Sequence, residues 1–150
     1  MPSWNCSGKL KGNHPKPLNE VLLLDTNIVS ILFKLDHPLR SKCVEEIGDQ
    51  ECFISFMTRG ELLLWPNANG WGAERRQRLA RHMAQFTMLL PDEETCSLWA
   101  DVMAESRRVG RTMDTADAWI AATAKQWDLA LMTADHRDFD HLAGLTLIPI

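Results

Sequence analysis

Four acids in this 150-residue chain have the type and spacing for shared chemistry: Asp25, Glu61, Asp117 and Asp135. Asp25 directly follows the apolar run Val21-Leu22-Leu23-Leu24, and Asp135 follows a second such run by two residues. Glu61 and Asp117 fall in the first turns of two helices implied by the pattern. In an open parallel sheet, ligands bind in the crevice outside the carboxyl ends of the strands. Strands that alternate with helices would bring all four acids to that rim. Like charges at close range raise one another's pKa and oppose folding, so such a cluster calls for a cation. Hard carboxylate oxygens suit Mg²⁺ or Mn²⁺, which bind few protein carboxylates and keep positions for water and phosphate oxygens. The implied chemistry is metal-assisted phosphodiester hydrolysis, in which water attacks phosphorus and the leaving oxygen is stabilised. With two ions, a clamp about 3.5–4 Å across is expected.

The elements that must position these acids follow from hydrophobic period and punctuation. Residues 21–24 form a continuous apolar run with charge at both ends, as in a strand buried on both faces. Residues 27–35 and 38–47 read as helices, with Pro38 near the start of the second and Gly48 stopping it. Residues 52–56 read as a strand. A helix over 58–65 follows, opened by a Thr58 to Glu61 capping box and closed by Pro66 and the turn at 67–70. Residues 74–87 are helical, with Leu79, Met83 and Phe86 on the apolar face and Arg75, Arg78 and His82 on the polar one. After a strand at 87–90, a long helix over 92–109 starts with acids and ends with arginines, which complements its dipole. A helix over 114–127 and strands at 129–133 and 146–148 complete the pattern. This alternation predicts a three-layer α/β/α domain with a mostly parallel five-stranded sheet over residues 20–150. Residues 1–19, rich in Pro, Gly, Asn and Lys, read as a poorly ordered extension.

Each acid also has a purely structural reading. Asp25 could cap the following helix, Glu61 could serve only the capping box, and Asp117, like Asp114, could be a first-turn acid favoured by the dipole. Asp135 and Asp138 could be ordinary loop residues. Joint placement at one sheet edge is what favours the functional reading. Two arginine clusters, Arg75 to Arg81 and Arg107 to Arg111, could hold an RNA backbone beside the acids, with Arg75, Arg78, Arg108 and Arg111 the candidates; the alternative is a solvated helix face. The tryptophans from Trp65 onward read as core or interface anchors. The five histidines are dispersed and none is assigned a role.

Composition narrows the classes. Apolar content of 45% and charged content of 24% are ordinary for a globular domain, and no apolar run approaches the roughly 20 residues of a bilayer span. No secretory signal pattern is present, so a cytoplasmic protein is expected. The four cysteines lack metal-site spacing and are expected to be reduced, with Cys43, Cys52 and Cys96 buried. A net charge of −4 argues against a generally basic nucleic-acid coat. Dinucleotide, P-loop and serine-hydrolase motifs are missing. A receiver-like signalling domain lacks its phospho-acceptor Asp and later Lys.

The segments Leu23-Leu24-Asp25-Thr26-Asn27, Ser55-Phe56-Met57-Thr58-Arg59-Gly60-Glu61-Leu62, Asp117-Ala118-Trp119-Ile120-Ala121-Ala122-Thr123-Ala124 and Leu131-Met132-Thr133-Ala134-Asp135, with Asp138-Phe139 after them, resemble PIN-domain ribonucleases. The resemblance is strongest to the VapC-type toxins of bacterial toxin–antitoxin pairs and covers residues 20–150 in order. It implies a PIN-like fold and an Mg²⁺- or Mn²⁺-dependent endoribonuclease leaving 5′-phosphate and 3′-hydroxyl ends. Its metal-binding and catalytic acids would be Asp25, Glu61, Asp117 and Asp135, with Asp138 an auxiliary acid that could take the place of Asp135. Thr26 and Asp114 would be auxiliary. The resemblance also implies a homodimer, a VapB-like antitoxin partner and an RNA substrate. The alternative is a non-catalytic PIN-like module that binds RNA or protein.

Overall fold

The strand Val21–Leu24, β3, is buried on both faces, as its unbroken apolar sequence requires. The computed structural model describes residues 21–150 together with two short segments, β1 (Ser3–Trp4) and β2 (Leu10–Lys11), which pair antiparallel. The expectation for residues 1–19 otherwise lies outside the described residues.

Beyond β3 the chain forms α1 (Thr26–Phe33), α2 (Arg40–Ile47), β4 (Glu51–Ser55), α3 (Phe56–Ala68), α4 (Ala73–Met83) and β5 (Thr87–Leu89). It continues with α5 (Glu93–Arg108), α6 (Thr115–Trp127), β6 (Ala130–Thr133), a 3-10 turn (His136–Asp138) and β7 (Leu147–Pro149). Five strands build one sheet in the order β5-β4-β3-β6-β7, and every pairing is parallel. The chain builds outward from β3 through β4 to β5, then crosses back to lay β6 on the other side. Strand order therefore reverses at β3, and the crevice at such a switch point opens at the carboxyl ends of β3, β4 and β6.

Alternation along the strands divides the interior into two cores. Val21, Leu23, Phe53 and Leu131 face α5 and α6, packing against Val102, Ile120 and Ala121. Leu22, Leu24, Ile54 and Met132 face the other way, against Ile28, Val29, Leu79 and Met83 of α1 and α4. Helix α3 reaches both, with Met57 against the first core and Leu62 within the second. This is the expected three-layer α/β/α domain. Among the described residues no helix is long and apolar enough to cross a membrane.

Three local expectations are corrected. Helix α3 does not end before Pro66 but continues through it to Ala68. A proline so close to a helix end removes one late hydrogen bond, and its carbonyl is bound by Trp71 N at 3.0 Å and Arg76 Nη2 at 2.9 Å. His82 does not face solvent. Its ring is half-buried, with Nε2 3.0 Å from Val29 O and Phe33 and Phe86 on either side. Cys43 is buried and Cys52 partly so, whereas Cys96 is exposed on the outer face of α5.

Candidate active site

The site begins at Asp25, the first residue after β3. Its backbone N–H extends the ladder to Met132 O at 3.0 Å, which fixes the residue against β6. The side chain is 4% exposed, and both oxygens accept hydrogen bonds: Oδ1 from Thr26 N at 2.7 Å, Oδ2 from the Thr133 hydroxyl at 2.7 Å. Thr133 is itself fully buried and accepts from Asp135 N at 3.0 Å. Asn27 adds a second tie to this loop, accepting from Ala134 N at 3.3 Å.

Glu61 is not spent on a capping box. The N-cap of α3 is Ser55, whose hydroxyl accepts from Thr58 N at 3.1 Å, so the helix starts three residues earlier than the Thr58 pattern suggests. That shift places Glu61 in the second turn, where its carboxylate accepts from the Thr26 hydroxyl. The hydroxyls of Thr26 and Thr58 lie 3.0 Å apart, so Ser55, Thr58 and Thr26 form a hydroxyl relay leading to Glu61.

Asp117 occupies the first turn of α6, behind the N-cap Asp114, which accepts from Ala116 N at 2.8 Å. The purely structural reading thus holds for Asp114, and for Asp25 in part. It does not account for the electrostatics. Burial, opposed by the hydrogen bonds from Thr133 and Thr26 and reinforced by the charges of Glu61 and Asp138, pushes Asp25 up to about 6. Burial, then the charges of Asp25, Asp138, Asp114 and Glu61, pushes Asp117 up to about 7. Carboxylates from four separate segments of the chain therefore act on one another at the switch point. Of the two candidate acids after β6, Asp135 and Asp138, it is Asp138 whose charge acts on both Asp25 and Asp117.

Among the described residues, no three His, Cys, Asp or Glu side chains are drawn together tightly enough to enclose a cation. The hydrogen bonds explain this: Asp25 is held by Thr26 and Thr133, and Glu61 is turned toward Thr26. The donor set nevertheless fits a hard divalent ion. It consists of hard carboxylate oxygens, with Asp25 and Asp117 destabilised as bare charges by burial and by their acidic neighbours, and Mg²⁺ needs few of them because it retains water.

The candidate RNA-contacting arginines are already engaged, except for Arg108, which is exposed in the last turn of α5. The Arg75 guanidinium lies 3.7 Å over the Trp71 ring, which stacks on Phe33, and that of Arg78 lies 5.0 Å from the Phe33 centroid. Arg111 Nη2 donates to Arg137 O and to Asp140 Oδ1, both at 2.6 Å. The sequence points to no role for Thr133 and to a capping role alone for Thr58. The signal available for Thr133 was a single hydroxyl ending an otherwise apolar strand two residues before an acid.

The PIN domain family matches residues 22–145. The chain is 30% identical over 136 residues to a VapC ribonuclease of Sinorhizobium fredii, covering 85% of this chain and 96% of that one. It is 25% identical over 133 residues to ribonuclease VapC1 of Haemophilus influenzae, covering 83% and 94%. Among solved structures, VapBC2 of Rickettsia felis bound to a promoter DNA fragment superposes with a TM-score of 0.77 at 16% identity, covering 87% of this chain and 98% of that one. VapBC-1 of Haemophilus influenzae gives 0.74 at 22%, covering 86% and 97%. With that match over most of its length, the same layers and an acid rim at the switch point, the chain belongs to the PIN domain family, among its VapC-type proteins.

Proposed function

We propose that the protein is a divalent-metal-dependent endoribonuclease and the toxin of a VapBC-like toxin–antitoxin pair. The observation that carries this reading is the convergence of Asp25 after β3 and Asp117 at the start of α6 on the carboxyl edge of the sheet, where the charges of Glu61 and Asp138 bear on both. Asp25, Glu61 and Asp117 would hold Mg²⁺ or Mn²⁺, with Asp138 favoured over Asp135 as the fourth acid. The bound ion supplies Lewis acidity and charge neutralisation for in-line displacement at phosphorus. Thr133 holds the Asp25 carboxylate in one orientation, and Thr26 does the same for Glu61. Asp114 adds negative charge beside Asp117 while capping α6. RNA as substrate and a VapB-like antitoxin are part of the same reading, supported by the ribonuclease and VapBC names of the relatives; a homodimer and a cytoplasmic location belong to it through the family resemblance alone.

The test is cleavage of total RNA by folded wild type and Asp25→Asn, with Mg²⁺, with Mn²⁺ and with chelator. Metal-dependent cutting that is lost in the variant is expected. Metal-independent cutting, or equal cutting by the variant, overturns the assignment. Metal-free protein that binds RNA without cutting in any condition would indicate a binding module instead.

A further inference from the structure

Asp138 lies on an exposed turn, whereas Asp25 and Asp117 are built into the ends of regular elements. Something must fix that turn if its carboxylate is to act at the rim. Phe139 and Leu142, 1% and 6% exposed, anchor the following residues in the core and set the depth of the loop. Asn27 and Thr133 hold its start, through Ala134 N and Asp135 N, and two further ties come from the end of α5. Glu105 Oε1 accepts from Ala143 N at 2.8 Å, and the Ser106 hydroxyl meets His141 Nε2 at 2.7 Å. Among the side chains of the described residues, Arg111 touches both sides of Asp138, through the Arg137 carbonyl before it and the Asp140 carboxylate after it.

Arg111 is itself placed by a Schellman turn. Gly110 takes a φ of +71°, which a side chain would strain, while its N–H bonds Arg107 O at 3.0 Å and Arg111 N bonds Ser106 O at 2.8 Å. The turn reverses the chain and points Arg111 across to the loop after β6. One Nη2 bridging a carbonyl and a carboxylate restrains the intervening backbone more than a single exposed ion pair would.

We propose that Arg111 is a positioning residue that clamps the 3-10 turn so that the Asp138 carboxylate faces Asp25 and Asp117 and completes the cation site. The inference rests on the reading of the acid rim as a divalent-metal site and adds a residue that reaches the ion only through Asp138. It also removes Arg111 from the phosphate contacts, since its guanidinium serves the loop.

The experiment measures Mn²⁺ binding to the full-length protein, by loss of the free-ion electron paramagnetic resonance signal, without RNA. The variants are Arg111→Ala, Asp138→Asn and the double variant, each checked by thermal melting. Both partners of the clamp are about half exposed, so Arg111→Ala is expected to move the melting midpoint by no more than about 2 °C. Its Mn²⁺ affinity is expected to fall about tenfold, the scale on which groups orienting a metal ligand act. Asp138→Asn is expected to weaken binding at least as much, and adding Arg111→Ala to it to change nothing further. Unchanged Mn²⁺ affinity in Arg111→Ala overturns the proposal, as does an equal loss in the Asp138→Asn background. Unchanged affinity with a raised KM for RNA makes Arg111 a phosphate contact instead. If wild type binds no Mn²⁺, the metal reading of the rim fails and the clamp proposal with it.

Discussion

The Thr133 hydroxyl donates to Asp25 Oδ2 at 2.7 Å, joining residues 108 positions apart in the chain. It is the one side-chain donor that offsets the burial of that carboxylate, and it stands at the end of the neighbouring strand.

Replacing Thr133 by Val keeps the β-branched shape and deletes the donor. Asp25 then loses a hydrogen bond to its charged form, so its pKa should rise above about 6. The expected cost is about 1–3 kcal/mol at pH 7.5, with weaker Mn²⁺ binding. Urea melts and Mn²⁺ titration check it; equal stability and affinity would mean that water replaces the hydroxyl at no cost.

Asp117→Asn should act in opposite directions on activity and stability. Metal-dependent RNA cleavage should fall at least about a hundredfold, the usual scale for losing a key electrostatic group. In chelator at pH 7.5 the same variant should be more stable, because it removes a carboxylate that burial and its neighbours disfavour in the charged state. Allowing for solvent screening, the gain is on the order of 1 kcal/mol, or about 2–4 °C in Tm. A Tm below wild type in chelator contradicts this.

The metal-free protein should lose stability as pH rises from about 4 to about 7. Asp25 and Asp117 titrate near 6 and 7 when folded, against an ordinary 3.8, so the folded state holds more protons across that window. Stability falls with pH wherever the folded state binds more protons, and the slope should vanish above the folded values. Denaturant melts from pH 4.5 to 8 in chelator test this. Saturating Mn²⁺ should flatten the profile, and the Asp25→Asn/Asp117→Asn double variant should lack the slope.

His82 should contribute the opposite slope at lower pH. Burial holds its ring below the ordinary 6.5, outweighing the Val29 carbonyl beside it. Protonation is therefore harder in the folded state, and its contribution is complete above about 6.5 and lost as pH falls through the lower folded value. His82→Gln should remove that acid-side loss, read as the difference between wild-type and variant stability at pH 5 and pH 8.

The sheet was legible because β3, β4 and β6 are short apolar runs with helical patterns between them, and period and punctuation alone separate such elements. Asp25 and Asp117 were legible for the same reason, since each adjoins the end of an element. What stayed hidden depends on contacts distant in sequence. The Thr58 to Glu61 spacing fits a capping box locally, but Ser55 sits at the end of β4 and captures Thr58 N first, which frees Glu61 for Thr26. Whether Asp135 or Asp138 bears on the rim depends on how a loop folds over β6, and residue spacing holds no trace of Arg111 reaching it. His82 shows a helical period placing a residue on the polar face while Phe33 of α1 and Phe86 after α4 cover it.

Leu22 meets Cys52 of β4 early in the chain, but its partner on the β6 side is Ala130, and Asp138 comes later still. During synthesis, a chain that has emerged from the ribosome only as far as β5 holds Asp25 and Glu61 but has neither the strand beside Asp25 nor the remaining acids. The rim assembles only when nearly the whole polypeptide is available. If the rim is the active site proposed above, the nascent chain would stay inactive until late in its synthesis, and a restraining partner would be needed only then.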